Sequence, residues 1–229
     1  MTAAAGTVRT LVLWDVDHTL IETRGVGRAI YDRAFPEATG IPLTNLAKIA
    51  GRTELDIMAE SLRINGLKPT DALVKRLADT LTEHYEQARH ELATVGRALP
   101  AAHTTLERFD ADATVHQAIL TGNLRDVARV KLEVFDLAGY LDFDSSAFGE
   151  DHADRAHLVH IARQRAENRT GIRFAAEDVV LIGDTPNDVK AALTAGVRII
   201  GVTTGKASAE VLRDAGATQV VSSLANLVL

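Results

Sequence analysis

The chain has 229 residues, of which 46% are hydrophobic and 24% charged, a balance that suits a folded protein with a sizeable core and excludes wholesale disorder, collagen and coiled coil. Its 25 basic residues against 31 acidic ones give a net charge of −6, and only 4% of residues are aromatic. Both numbers speak against a phosphate-reading or base-stacking nucleic-acid binder. No cysteine is present, which excludes disulfides, a thiolate nucleophile and thiolate metal sites.

No apolar run reaches the roughly 18–20 residues of a membrane helix, and Met1 to Arg9 is small and polar, without a signal-length apolar stretch. A cytoplasmic protein without membrane or nucleic-acid partners is therefore expected, as a monomer or homodimer. Along the chain, Leu11–Trp14 is the first short apolar run that reads as a strand. Residues 22–91 then read as mostly helical, with apolar residues at helical spacing over Gly27–Phe35, Thr53–Asn65 and Thr70–Glu91. Gly40–Pro42 and Gly66–Pro69 punctuate them.

Further strands are expected at Ala118–Thr121, Val179–Gly183, Val197–Val202 and Thr218–Val221, with an irregular one between Tyr140 and Phe148. Helices are expected over Leu124–Phe135, Ala153–Asn168 and Val189–Ala195. Apolar runs that do not alternate with polar residues imply burial on both faces, the habit of parallel sheets. The fold class is therefore α/β: a Rossmann-like parallel sheet core flanked by helices, with an inserted all-helical cap. The core comprises residues 1–21 and 92–229 and the cap residues 22–91.

The polar residues cluster where these strands end, the usual place for ligands in open parallel sheets. The first strand runs into Asp15 and Asp17, with His18 and Thr19 following. Two carboxylates so close need a metal, cations or donors to offset them, or else they cap backbone groups. The strand ending at Gly183 runs into Asp184, Thr185, Pro186, Asn187 and Asp188. Pro186 suits a first helical turn, and Asp184 or Asp188 could serve only as helix-capping groups. Together, however, three or four carboxylates at one sheet edge make a hard, oxygen-rich site suited to Mg²⁺. Thr121, Gly122 and Asn123 place a hydroxyl, an amide and backbone N–H groups at a third strand end, where helix starts favour anions. Asn123 fits a helix cap equally well.

The three segments Asp15–Thr19, Thr121–Asn123 and Gly183–Asp188 resemble, in order and placement, the motifs of the haloacid dehalogenase superfamily, and the resemblance is phosphoglycolate phosphatase-like. It implies a Mg²⁺-dependent phosphatase that acts on a small phosphorylated metabolite through an aspartyl-phosphate. Asp15 would be the nucleophile and Asp17 the acid and then the base. Asp15, the backbone carbonyl of Asp17, Asp184 and Asp188 would form the metal site, and Thr121, Gly122 and Asn123 the phosphoryl site.

Two residues depart from the family pattern. His18 stands where the family has glycine; it reads as a tolerated variant or as a substrate contact. The usual motif lysine is absent, since no Lys lies between Lys131 and Lys190. Arg155 is the best substitute, with a surface pair to Asp151 as its other reading. In the cap, Arg52, just before a helix, could reach an anionic substrate, and Lys48 is a further cation there. A sugar phosphomutase of the same fold and a non-catalytic binding protein are the alternatives.

Overall fold

The computed structural model describes residues 8–49 and 51–229. The polar stretch Met1 to Arg9 therefore falls almost wholly outside the described residues. The elements are β1 (Thr10–Trp14), β2 (Ile21–Glu22), α1 (Val26–Thr39), α2 (Glu54–Ile64), α3 (Asp71–Gln87), α4 (Arg89–Val95), β3 (Arg97–Ala98) and α5 (Ala102–Asp110). They continue as β4 (Val115–Ile119), α6 (Arg125–Val134), α7 (Arg155–Thr170), β5 (Val179–Gly183), α8 (Pro186–Ala195), β6 (Arg198–Val202), α9 (Ala209–Asp214) and β7 (Gln219–Val221).

Strands β4, β1, β5, β6 and β7 lie side by side in that order, all parallel. Their apolar runs are buried on both faces. Val12, Trp14, Ile119, Val180 and Ile182 pack on one side, and Leu11, Leu13, Ala118, Val179 and Leu181 on the other. This is the α/β, Rossmann-like sheet expected from strands that do not alternate. From β4 the chain crosses to the far side of β1, so the connection order reverses at β1, and clefts at such points collect ligands. In register, Trp14 stands opposite both Ile119 and Ile182. The residues just past β1, β4 and β5 therefore meet at one edge.

Helices α1 to α4 lie between β2 and β3, which pair antiparallel (Ile21 with Ala98, Glu22 with Arg97). Both connections to the helical segment thus run side by side. Val26, Ile30, Phe35, Met58, Leu62, Leu77 and Leu81 form a third core cluster that also takes Leu124, Val127 and Val130 of α6 and its approach. The expected helix Thr70–Glu91 is two helices broken at Ala88.

The segment from Tyr140 to Phe148 is not a strand. A 3₁₀ turn over Ala138–Tyr140 leads into it, a second spans Phe143–Ser145, and only Ala147 bridges the sheet edge, at Leu120. Asp142 explains this: its carboxylate accepts from Asp144 N (2.9 Å) and Ser145 Oγ (2.8 Å), local bonds that compete with a ladder.

Candidate active site

Two groups of charged side chains meet at the carboxyl edge of the sheet. In the first, Asp15 follows β1, Asp184 follows β5, and Asp188 lies in the first turn of α8. One carboxylate oxygen from each lies within 4.8 Å of the others. All three are buried. Arg155, the first residue of α7, brings Nη2 to 2.7 Å from Asp15 Oδ1 and to 2.6 Å from Asp188 Oδ1. Asp188 Oδ1 and Arg155 Nε are both buried without a hydrogen-bond partner among the described residues, although the ion pair brings Asp188 Oδ1 close to Arg155 Nη2. The other oxygen of Asp188 accepts from Thr185 N (3.0 Å) and Thr185 Oγ1 (2.6 Å), closing a capping box. Its helix-cap and cluster roles are thus one placement.

Burial pushes the Asp15 carboxyl up to about 7; Arg155 opposes this, and Asp188 and Asp17 add to it. Burial, Asp15 and Asp188 push Asp184 up to about 8, against the weaker pull of Arg155. One arginine does not balance three buried carboxylates. Three hard oxygen donors, with excess negative charge and an orphaned oxygen, make a donor set suited to a divalent cation such as Mg²⁺. Two glycines permit this crowding: a Cβ at Gly205 would overlap the Asp184 carboxylate, and one at Gly183 would run into the Asp188 side chain. Gly183 serves close approach rather than a left-handed turn, since its φ is not in the positive range.

The second group centres on Asp17. Its carboxylate turns away from the acidic cluster and meets Lys131 of α6, whose Nζ donates to Oδ1 (2.9 Å) and Oδ2 (2.7 Å). The same ammonium donates to Asn123 Oδ1 (2.7 Å). Asn123 Nδ2 in turn donates to Asp17 Oδ2 (2.7 Å) and to Thr121 Oγ1 (2.8 Å). Burial alone would raise the Asp17 carboxyl, but the Lys131 charge and the bonds from Lys131 and Asn123 hold it below its ordinary value. Lys131 is raised despite its burial, because Asp17 faces it.

Of the residues expected from sequence, Asp15, Asp184, Asp188 and Arg155 come together, and Asp17, Thr121 and Asn123 form the adjoining group. Asp151 pairs with Arg165 (2.6 and 2.7 Å), leaving Arg155 to the acidic cluster. Gly122 packs so tightly beneath the start of α2 that a Cβ would strike the Arg52 carbonyl, and its own carbonyl accepts from Glu54 N (2.7 Å).

Arg52 is not brought to the acidic cluster. Its guanidinium binds Asp56 (2.7 Å), Glu60 (2.5 Å) and the Lys48 carbonyl (3.1 Å), and Lys48 itself is exposed. Arg52 touches the site through its backbone alone. His18 sits in the left-handed region at φ 61°, its carbonyl held by Thr204 Oγ1 at 2.6 Å.

Sequence reasoning misses Lys131, Thr19, Glu54, Tyr31 and Tyr85. Thr19 Oγ1 lies 3.4 and 3.5 Å from Asp15 and Asp184. Tyr31 donates to Glu54, and the Lys131 ammonium stands 5.2 Å from the Tyr85 ring centroid. One signal does point to Lys131: it falls four residues after Val127 and three before Val134, on the buried face of its helix.

The family model described as Haloacid dehalogenase-like hydrolase matches residues 12–202, well over half of the chain. The chain belongs to this family. The hydrolase resembles solved structures at the level of fold. A hydrolase from Pseudomonas syringae shares 23% identity over 93% of this chain and 92% of that one, at a TM-score of 0.68. A predicted phosphatase from Clostridium acetobutylicum shares 22% over 96% of each chain, at 0.67. A predicted phosphoglycolate phosphatase from Haemophilus somnus shares 15% over 96% of each chain, at 0.64. No curated protein matches the sequence. Among the described residues, no helix is long and apolar enough to cross a membrane.

Proposed function

We propose that this hydrolase is a Mg²⁺-dependent phosphatase for a small phosphorylated metabolite and that it works through an aspartyl-phosphate. The observation that carries the reading is the buried, under-neutralised cluster of Asp15, Asp184 and Asp188, with Arg155 as its single close cation among the described residues. A phosphate dianion enters such a site only when further positive charge accompanies it. Asp15, the Asp17 backbone carbonyl and Asp184 would hold Mg²⁺, with Asp188 supporting them through Arg155. The ion supplies charge neutralisation and orients phosphoryl oxygens.

Asp15 forms the bond to phosphorus as the bond to the leaving oxygen breaks. Arg155 keeps the Asp15 carboxylate oriented and carries positive charge beside the phosphoryl oxygens. Thr121 Oγ1 and the N–H groups after β4 bind those oxygens. Water then attacks phosphorus, Asp17 takes its proton, the bond to Asp15 breaks, and phosphate leaves. The carboxylate of Asp17, held ionised by Lys131, suits this base role; to serve as an acid it must first acquire a proton against that ammonium.

Helices α1 to α4, joined to the core by the β2–β3 ribbon, act in this reading as a cap over the site. The test is hydrolysis of a generic aryl phosphate with Mg²⁺ and with EDTA. Turnover with Mg²⁺ that EDTA abolishes supports the phosphatase; no turnover of any phosphate monoester across a metabolite panel overturns it.

A further inference from the structure

A lysine buried on the apolar face of α6 calls for a physical account, because an ammonium there is costly unless fully paired. Lys131 is only 4% exposed, and its three N–H donors are spent on Asp17 Oδ1, Asp17 Oδ2 and Asn123 Oδ1. Each bond is 2.7–2.9 Å. Asn123 closes the ring by donating to Asp17 Oδ2 and to Thr121 Oγ1. Lys131 therefore ties the side chain past β1 to the one past β4. Near the ammonium stand Tyr85 of α3 and, by charge, Glu54 at the start of α2. The helical segment thus packs onto the lysine that grips Asp17.

We propose that Lys131 is a positioning residue that fixes the Asp17 carboxylate for the hydrolytic half of the reaction. This rests on the phosphatase reading above. In that half, water oxygen bonds to phosphorus, one water proton passes to Asp17, and the bond from phosphorus to Asp15 breaks with its electron pair returning to Asp15. Lys131 takes no part in the bonds that change. It determines where the accepting oxygen of Asp17 stands. The first half, with an aryl leaving group of low basicity, needs no proton from Asp17 and so depends little on Lys131.

The experiment is rapid-mixing kinetics of 2,4-dinitrophenyl phosphate hydrolysis with Mg²⁺, for wild type, Lys131→Met and Lys131→Arg. For Lys131→Met, one equivalent of phenol should appear in a fast burst, followed by a steady-state rate lower by on the order of 10²-fold. Lys131→Arg should recover part of the steady-state rate, since charge returns in altered geometry. Equal slowing of burst and steady state would mark a purely structural role and overturn the proposal, as would an unchanged steady-state rate.

A double-mutant cycle of melting temperatures, with Lys131→Met and Asp17→Asn in metal-free protein, separates the two readings. If wild type hydrolyses no phosphate ester, the phosphatase reading falls and the cycle decides whether Lys131 holds Asp17. Strongly non-additive shifts support the grip, and additive shifts overturn it.

Discussion

The two charged groups at this sheet edge share a backbone turn yet follow opposite charge arithmetic. Around Asp15, three buried carboxylates face one guanidinium, and two polar atoms are left without hydrogen-bond partners among the described residues. Around Asp17, one carboxylate faces one ammonium, and every donor of that ammonium is used. The first group is incomplete by charge and calls for an external cation and an anion to settle on it. The second is complete in itself by charge and calls for no external cation. A single residue, Val16, separates Asp15 from Asp17, so the difference comes from what the neighbouring elements bring: Asp184 and Asp188 from β5 and α8, Lys131 and Asn123 from α6 and the loop before it.

Removing the nucleophile from the unbalanced group should have the largest effect. Asp15→Asn should lower aryl-phosphate turnover by on the order of 10⁴ or more. The fold should survive by circular dichroism, because the substitution relieves repulsion between buried carboxylates. Retained turnover would remove Asp15 from the bond-forming role.

Arg155 comes next, as the cation that the described residues place within that group. Arg155→Ala should cost about 10²–10³ in kcat, the loss typical when a preorganised charge beside the reacting centre is removed. Arg155→Lys should recover part of it, because an ammonium restores charge but spans Asp15 and Asp188 less well than a planar guanidinium. If Arg155→Ala left kcat near wild type, the cluster would need some other cation.

Much of this contrast is legible in the amino-acid order. Apolar runs that fail to alternate, each ending in Asp, Gly, Thr or Asn, mark parallel strands with polar residues gathered at one edge. Arg155 is reached from the missing motif lysine that the family resemblance points to, together with charge balance, since a site so acidic requires a cation. Lys131 is not reached that way, because it lies inside α6 rather than at a strand end, and only the folded register brings it to Asp17. Arg52 reads as a free cation, although Asp56 stands four residues on, the spacing at which helical ion pairs form. The stretch from Tyr140 to Phe148 looks strand-like through its aromatic and apolar residues, while Asp142 and two serines supply local bonds that a sheet ladder cannot outbid.

The charge imbalance also sets a pH and metal dependence. Without metal, burial holds Asp15 at about 7 and Asp184 at about 8, above the ordinary value of 3.8. Both are raised, so the folded chain keeps protons that the unfolded chain has released. The slope of stability with pH is therefore negative between about pH 4 and 8: the contribution is full at acid pH and fades as pH climbs through 7 and 8. A divalent ion replaces those protons. Melting curves with EDTA should shift to lower temperature from pH 5 to pH 8, and added Mg²⁺ should raise the melting temperature more at pH 8 than at pH 5. Equal Mg²⁺ effects at both values would mean that the ion does not bind at these carboxylates.

The smallest effect tests the turn that separates the two groups. His18 lies at φ 61°, where a side chain costs about 1 kcal/mol and glycine costs little. Glycine gives back about 0.5–1 kcal/mol through the freer unfolded chain. His18→Gly should therefore move unfolding stability by no more than about 1 kcal/mol, while His18→Val, β-branched in the same left-handed position, should lose more than that. The structure uses the backbone of this residue: its N–H donates to the Ile21 carbonyl at 2.7 Å, and its carbonyl accepts from Thr204 at 2.6 Å. Both bonds survive in His18→Gly, so kcat should stay near wild type. If kcat instead fell about tenfold with stability unchanged, about 1.4 kcal/mol of transition-state stabilisation would belong to the imidazole. The ring would then act on the substrate beside Asp17, and the balanced group would no longer be complete in itself.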